Sequence, residues 1–425
     1  MRARRALPAI LLFAVALHAS RLLSTADAEL AVAPARALVS IGDVGRLRRQ
    51  IARARAGESI VLGAIGGSIT EGVGASRPEA SYLARVAEWW KQNLGPRVDV
   101  VNAGIGSTGS NYGALRARRD LLVRHPDVVI VEFAVNDPDS REASESLEGL
   151  CRQILSEPNR PAVILLFMMD RKGWSAEHAH ALVGNHYHLP MVSFRRALLP
   201  EIQRGALNWD DVLADGVHPN DRGHAYAADF VTGLLSAAAA QADRRGRHTA
   251  SSRLPAPLIS DRYQHVVLRE APDLQPLRNS GWVLDPESKA WVADSPGSTI
   301  EFRIEGRVPL LMDWHFHGSM GKARIVVDDA RKSTIRDGYS DDTWGWRATV
   351  ALPARSTART HLIRAELLDE ANPSSTGHEF RILGLGAAGA TPGKTEAQHT
   401  KHRSVTASRR RRQGDPASHG NESRG

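Results

Sequence analysis

The sequence has one cysteine in 425 residues, Cys151, so no disulfide can form within the chain. Cys151 lies in Leu147-Glu148-Gly149-Leu150-Cys151-Arg152-Gln153-Ile154-Leu155, whose apolar spacing is that of an amphipathic helix. A half-buried structural thiol is expected there rather than a nucleophile. Long apolar runs are equally scarce. The single run, residues 7–19, follows Arg2, Arg4 and Arg5 and precedes the small-residue site Ala26-Asp27-Ala28. It is too short to span a bilayer comfortably, and the pattern is that of a signal peptide cleaved before Glu29, with an uncleaved anchor as the alternative. No second run follows, so the mature chain is expected to be secreted or periplasmic, without stable membrane insertion.

An excess of one charge is also missing from the body of the chain. Residues 1–28 carry four Arg and one Asp, and residues 391–425 carry eight Lys/Arg against three Asp/Glu. These two ends account for the whole formal charge of +8. The stretch between them is close to neutral, so the basic pI points to no nucleic-acid partner. The tail, with four consecutive arginines at 409–412 among Ser, Gly, His and Gln, is expected to be a solvated, disordered segment. No internal repeat stands out. The length allows two domains, and the 42% hydrophobic content supports a sizeable core.

Between residues 59 and 240 apolar runs alternate with helical patterns. Strands are expected at 60–65, 98–105, 128–134, 162–169 and 191–194, and helices at 82–94, 113–123, 142–155 and 224–240. Near-continuous Val/Ile/Leu strands between helices predict an α/β domain with a parallel sheet covered on both faces. From residue 261 the texture changes to short alternating runs at 299–304, 310–316, 323–327, 347–352, 360–367 and 380–385, separated by Gly, Pro, Asp and Asn. That pattern predicts an antiparallel β-sandwich. The organisation is therefore a signal peptide at 1–28, an α/β domain at 40–245, a linker at 246–260, a β-sandwich at 261–390 and a basic tail at 391–425.

Against this background a Ser and a His stand 150 positions apart in matching contexts. Ser68, in Ala64-Ile65-Gly66-Gly67-Ser68-Ile69-Thr70, follows the first strand. His218, in Asp215-Gly216-Val217-His218-Pro219-Asn220, precedes the closing helix. A Ser hydroxyl is a poor nucleophile until a base removes its proton, which an imidazole can do near neutral pH. Asp215 is close enough along the chain to reach the far ring nitrogen and fix the tautomer. Pro219 biases His218 towards an extended backbone. In open parallel sheets functional groups gather at the carboxyl ends of strands. The segments from Asn102 to Ser107 and at Asn136-Asp137 belong to that same edge.

Four blocks thus occur in order: Gly67-Ser68, Asn102-Ala103-Gly104-Ile105-Gly106-Ser107, Val135-Asn136-Asp137 and Asp215-Gly216-Val217-His218. Across roughly residues 59–240 the chain resembles the SGNH/GDSL-type serine hydrolases, of the subset whose first block reads Gly-Gly-Ser-Ile-Thr and whose hydrolase part is followed by a β-domain. The resemblance implies a flavodoxin-like three-layer α/β/α domain. It implies Ser68 as nucleophile, His218 as base and Asp215 as the orienting carboxylate. It also implies an oxyanion hole from the Ser68 N–H, an N–H in the second block (Gly106 or Ser107) and the Asn136 side-chain amide. No metal or organic cofactor is required. Two departures stand out: the usual Gly of the second block falls at Ser107, and Gly66-Gly67 replaces the eponymous Gly-Asp. Any residue but proline supplies a backbone N–H, so a donor survives.

The implied activity is that of an exported esterase removing acyl groups, acetyl first, from a carbohydrate or another ester. The rival readings are an O-acyltransferase with the same triad, a lipid or thioester hydrolase, and a non-enzymatic polysaccharide-binding surface protein. Other constellations read more plainly. His178 and His180 lie two apart on a helix and point apart, so with His186 and His188 they make no metal site. At 312–317, Met312, Trp314 and Phe316 are expected to face a core and Asp313, His315 and His317 the solvent. Trp282, Trp291, Trp344 and Trp346 suit sugar-stacking platforms and sandwich core equally.

Overall fold

The computed structural model describes residues 32, 34–242, 253–328 and 333–391. The expected signal peptide at 1–28 and, beyond Thr391, the expected basic tail lie outside the described residues, as does part of the linker.

The first domain is built on β1 (Leu38–Ser40), β2 (Ile60–Gly66), β3 (Val98–Gly104), β4 (Val128–Glu132), β5 (Ala162–Phe167) and β6 (Met191–Ser193), in the order β1-β6-β5-β4-β2-β3. All pairs are parallel except β1 with β6. β2 to β6 therefore follow the flavodoxin-like order, with the sequence reversing direction across the sheet at β2. Every residue of β4 and β5 is buried, which is why both are uninterrupted apolar runs up to their last residues. Helices α1 (Gly45–Arg55), α2 (Ser68–Glu71) and α3 (Tyr82–Asn93) follow in order, then α4 (Ser110–Asp120), α5 (Arg141–Leu155) and α6 (Glu177–His186). The domain closes with α7 (Phe194–Gln203), α8 (Trp209–Val212) and α9 (Asp221–Ala242). One apolar cluster joins α1, α3, α7 and α9 to one face of the sheet, and a second joins α4, α5 and α6 to the other.

The second domain consists of β7 (Val266–Glu270), β8 (Arg278–Ser280), β9 (Val283–Asp285), β10 (Ala290–Ala293), β11 (Thr299–Gly306) and β12 (Val308–His315), followed by β13 (Gly321–Val327), β14 (Thr334–Asp337), β15 (Trp346–Ala351), β16 (Arg359–Ala371) and β17 (Phe380–Ala388). They form two antiparallel sheets, β15-β12-β17-β10-β9 with β7 beside β17, and β14-β13-β16-β11-β8. Phe302, Ile325, Ile363 and Leu385 are among the side chains that fill the space between them. The fold is a three-layer α/β/α domain followed by a β-sandwich. The short strands β1, β7 to β10 and β14 carry little alternation and were not expected.

Two details overturn sequence expectations. β12 is covered on both faces: Leu310 and Met312 join the α4/α5 cluster of the first domain, while Leu311 joins the sandwich core. Asp313 and His315, expected in solvent, are therefore buried, and Arg336 donates two hydrogen bonds to Asp313 at 2.9 and 3.2 Å. His317 alone of the three is exposed. The described end of the linker is not free either. The Glu148 carboxylate on α5 accepts the backbone N–H groups of Leu258, Ile259 and Ser260. Tyr263 then packs so closely on Gly149 that a Cβ there would lie 2.2 Å from it.

Candidate active site

β2 delivers the chain to the carboxyl edge of the sheet, and a tight turn leads into α2. A Cβ on Gly66 would lie 2.1 Å from Thr70 Oγ1, and one on Gly67 2.2 Å from Asn136 Oδ1. The turn therefore accepts only glycine at both positions. Ser68 is the first residue of α2 and is nearly buried. The loop before α9 folds over it, held by the Leu213–Pro219 bridge and the Ala214 N–H on the His218 carbonyl at 2.8 Å.

Three side chains predicted from sequence meet here. His218 Nε2 lies 2.9 Å from Ser68 Oγ, and His218 Nδ1 lies 2.7 Å from Asp215 Oδ2. Asp215 Oδ1 also accepts the N–H groups of Val217 and His218, each at 2.7 Å. Partial burial pushes the Asp215 carboxyl up, but the His218 N–H, the His218 ring and the Val217 N–H together hold it below the usual carboxylate range. An ionised Asp215 at Nδ1 leaves Nε2 as the acceptor for the Ser68 proton.

The oxyanion candidates divide differently from expectation. Gly106 is committed elsewhere: its N–H donates to Glu71 Oε2 at 2.8 Å. Ser107, where the family pattern has Gly, adopts φ 55°, a left-handed conformation that explains the usual glycine. Ser107 is exposed, and no hydrogen bond among the described residues takes its N–H. Asn136 packs over Gly67, and its Oδ1 is buried without a partner.

Several supporting groups escaped the sequence reading. Arg116, buried on α4, donates to the Ala103 carbonyl at 2.7 Å and the Gly66 carbonyl at 3.0 Å, tying together the ends of β3 and β2. Asn102 Nδ2 donates to the Thr70 carbonyl at 2.8 Å, holding α2 to β3. Glu132 and Tyr82 flank Thr70. The available signal was a charge inside apolar texture: Glu132 ends Val-Val-Ile-Val-Glu, and Arg116 follows Ala114-Leu115. The four histidines separate, with His180 buried on Asp137 at 2.9 Å and His186 on the Ala256 carbonyl at 2.8 Å. Among the described residues no group of three His, Cys, Asp or Glu side chains is placed to hold a metal ion. Of the four tryptophans, Trp282 is buried, Trp291 donates to the Ala271 carbonyl and Trp346 stacks on His315, whereas Trp344 is 60% exposed.

The model of the GDSL-like lipase/acylhydrolase family matches residues 64–226. No curated protein sequence matches the chain. Among solved structures, a two-domain esterase (CEX) active on acetylated mannans, co-crystallized with mannopentaose, is 29% identical with a TM-score of 0.75, covering 84% of this chain and 98% of that one. A second crystal structure of a two-domain esterase (CEX) active on acetylated mannans is also 29% identical, with a TM-score of 0.76 over 84% of this chain and 99% of that one. The α/β part of this chain thus matches the model of the GDSL-like lipase/acylhydrolase family, and with two-domain esterases similar along both domains the protein is an ester-hydrolysing enzyme.

Proposed function

We propose that the protein is an exported carbohydrate acetylesterase that works through Ser68, His218 and Asp215. The observation that carries the chemistry is the hydrogen-bonded line from Ser68 Oγ through His218 to Asp215, 2.9 and 2.7 Å long. Ser68 Oγ attacks the ester carbonyl carbon while His218 Nε2 takes its proton, and Asp215 stabilises the imidazolium. The tetrahedral oxyanion is received by the Ser68 N–H, the Ser107 N–H and the Asn136 amide. Collapse breaks the bond to the sugar oxygen, which leaves with the proton from His218. Water then attacks the acyl-enzyme, giving up its proton to His218; the bond from the acyl carbon to Ser68 Oγ breaks, Ser68 takes that proton back from His218, and acetic acid is released. The carbohydrate substrate is supported by the likeness to a mannan-active esterase, which runs through both domains. Export is supported by the pattern of residues 1–28.

The test is acetate release from acetylated mannan by the purified full chain, with Ser68→Ala beside it. Release by wild type, and a loss on the order of 10⁴-fold or more in the variant, are expected. Activity on small aryl acetates with none on any acetylated glycan would overturn the substrate. Near-normal turnover in Ser68→Ala would overturn the nucleophile.

A further inference from the structure

Behind the Ser68 turn runs a buried polar chain that the hydrolysis scheme does not use. Glu132, the last residue of β4, is completely buried and pairs with Gly66 across the parallel ladder. Its Oε2 accepts the Thr70 hydroxyl at 3.1 Å, and Thr70 Oγ1 lies 3.0 Å from the Tyr82 hydroxyl. Its Oε1 is buried and has no partner. The Tyr82 N–H donates to His224 Nδ1 at 3.2 Å, and His224 Nε2 donates to the Val73 carbonyl at 3.2 Å. The polar chain thus holds the segment after the nucleophile at two points, Thr70 and Val73.

α2 needs that grip. It has four residues, a single turn, which cannot hold its own conformation in water. Its placement must come from tertiary contacts, and Thr70 is its fully buried side chain nearest the sheet end. Glu132 stands where a carboxylate is disfavoured. Burial pushes its carboxyl up to about 8, the Thr70 hydroxyl and the Gly67 N–H oppose this, and the Asp137 charge adds to it. The groups facing it are Thr70 from α2, Tyr82 from α3 and Asp137 from the loop after β4, with His224 of α9 behind Tyr82. Burial raises the Tyr82 phenol and lowers the His224 imidazole, so both are uncharged near neutrality. None of these groups is a cation that could accept a buried carboxylate.

We propose that Glu132 is a positioning residue for the nucleophile turn: its carboxyl takes the Thr70 hydroxyl, and through it keeps Ser68 within hydrogen-bonding reach of His218. This rests on Ser68 being the nucleophile.

The experiment follows hydrolysis of a small aryl acetate by the full chain at neutral pH. Glu132→Gln, uncharged and of the same shape, can still accept the Thr70 hydroxyl and keeps most of the wild-type kcat. Glu132→Ala loses on the order of 10²-fold in kcat at neutral pH through misplacement of Ser68. A second readout does not depend on activity. The folded wild type holds a proton that the unfolded chain releases above its ordinary pKa of 4.5, so its stability relative to Glu132→Gln declines as pH rises from 4.5 to about 8. Should Glu132→Ala fail to fold, the Gln variant and this stability profile still decide. A Gln variant as impaired at neutral pH as the Ala variant, or a folded Ala variant with unchanged kcat, would overturn the proposal. Either result together with an inactive Ser68→Ala leaves the nucleophile assignment standing, whereas an active Ser68→Ala would sink that assignment first.

Discussion

Ser107 shows how a single backbone angle bears on the site. Its φ of 55° costs a residue with a Cβ roughly 1 kcal/mol relative to glycine. Ser107→Gly should therefore raise the unfolding free energy by about that amount in urea titration, and a loss would mean the serine side chain holds the loop in a way the structure does not reveal. Asn136 gives a graded kinetic test. Replacing one oxyanion donor by alanine costs ~10²–10³ in kcat with little change in KM. Initial-rate kinetics on Asn136→Ala should show that split, and a loss confined to KM would make Asn136 a ground-state binder. Cys151 is fully buried, and burial, with the Glu148 charge beside it, pushes its thiol up to about 12. It is expected to resist iodoacetamide in the native protein and to react only on unfolding, as mass spectrometry would show.

At the scale of elements, the strap that enters the second domain depends on one side chain. Glu148 is buried and receives the N–H groups of Leu258, Ile259 and Ser260 as well as the Tyr187 hydroxyl at 2.6 Å. Glu148→Ala strands four donors at once, and a loss of roughly 3 kcal/mol is expected from hydrogen bonds to a charged acceptor. Hydrogen exchange should then rise first at residues 258–260. Unchanged protection there would show that the packing of Tyr263, not Glu148, holds the strap. β12 carries the opposite lesson about patterning. Its alternation is real, but the first domain covers the outer face of the sandwich that would otherwise meet water, so alternate residues do not separate into buried and exposed sets.

At the scale of the molecule, the two domains share one apolar cluster. Leu115, Leu147 and Leu150 of the hydrolase domain pack with Tyr263, Val308, Leu310, Met312 and Leu383 of the second. A charged clamp closes its edge: Glu270 on β7 accepts from the Tyr112 hydroxyl and Arg119 at 2.9 Å and from Arg347 at 3.2 Å. The Arg347 guanidinium also lies 4.7 Å above the Tyr112 ring. The catalytic candidates all lie in the first domain, yet a fragment ending near residue 250 would expose this cluster to water. Such a fragment is expected to aggregate or to melt well below the full chain, and calorimetry of the full chain should show one cooperative transition. A soluble fragment with an unchanged melting temperature would mean that the interface contributes little to folding.

What the amino-acid sequence determined by itself was whatever short-range pattern encodes. Uninterrupted Val/Ile/Leu runs between amphipathic helices specified a parallel sheet, and alternating runs after residue 261 specified antiparallel strands. Because strand ends in such a sheet converge, Ser68, Asn136, Asp215 and His218 could be placed at one edge before any contact was known. Tertiary structure decided the rest, because it depends on partners far along the chain. Glu71 takes the Gly106 N–H and leaves the one at Ser107. Thr70 and Tyr82 bury Glu132, 62 positions away from Thr70, and so turn an ordinary carboxyl into one held near neutrality. The opposite sheet of the sandwich, with Arg336 on Asp313, covers the face of β12 that periodicity assigned to solvent, while the first domain covers the other. A local pattern records which side of an element is apolar. What covers the other side, and which polar groups are thereby cut off from water, is set only when distant segments close on one another.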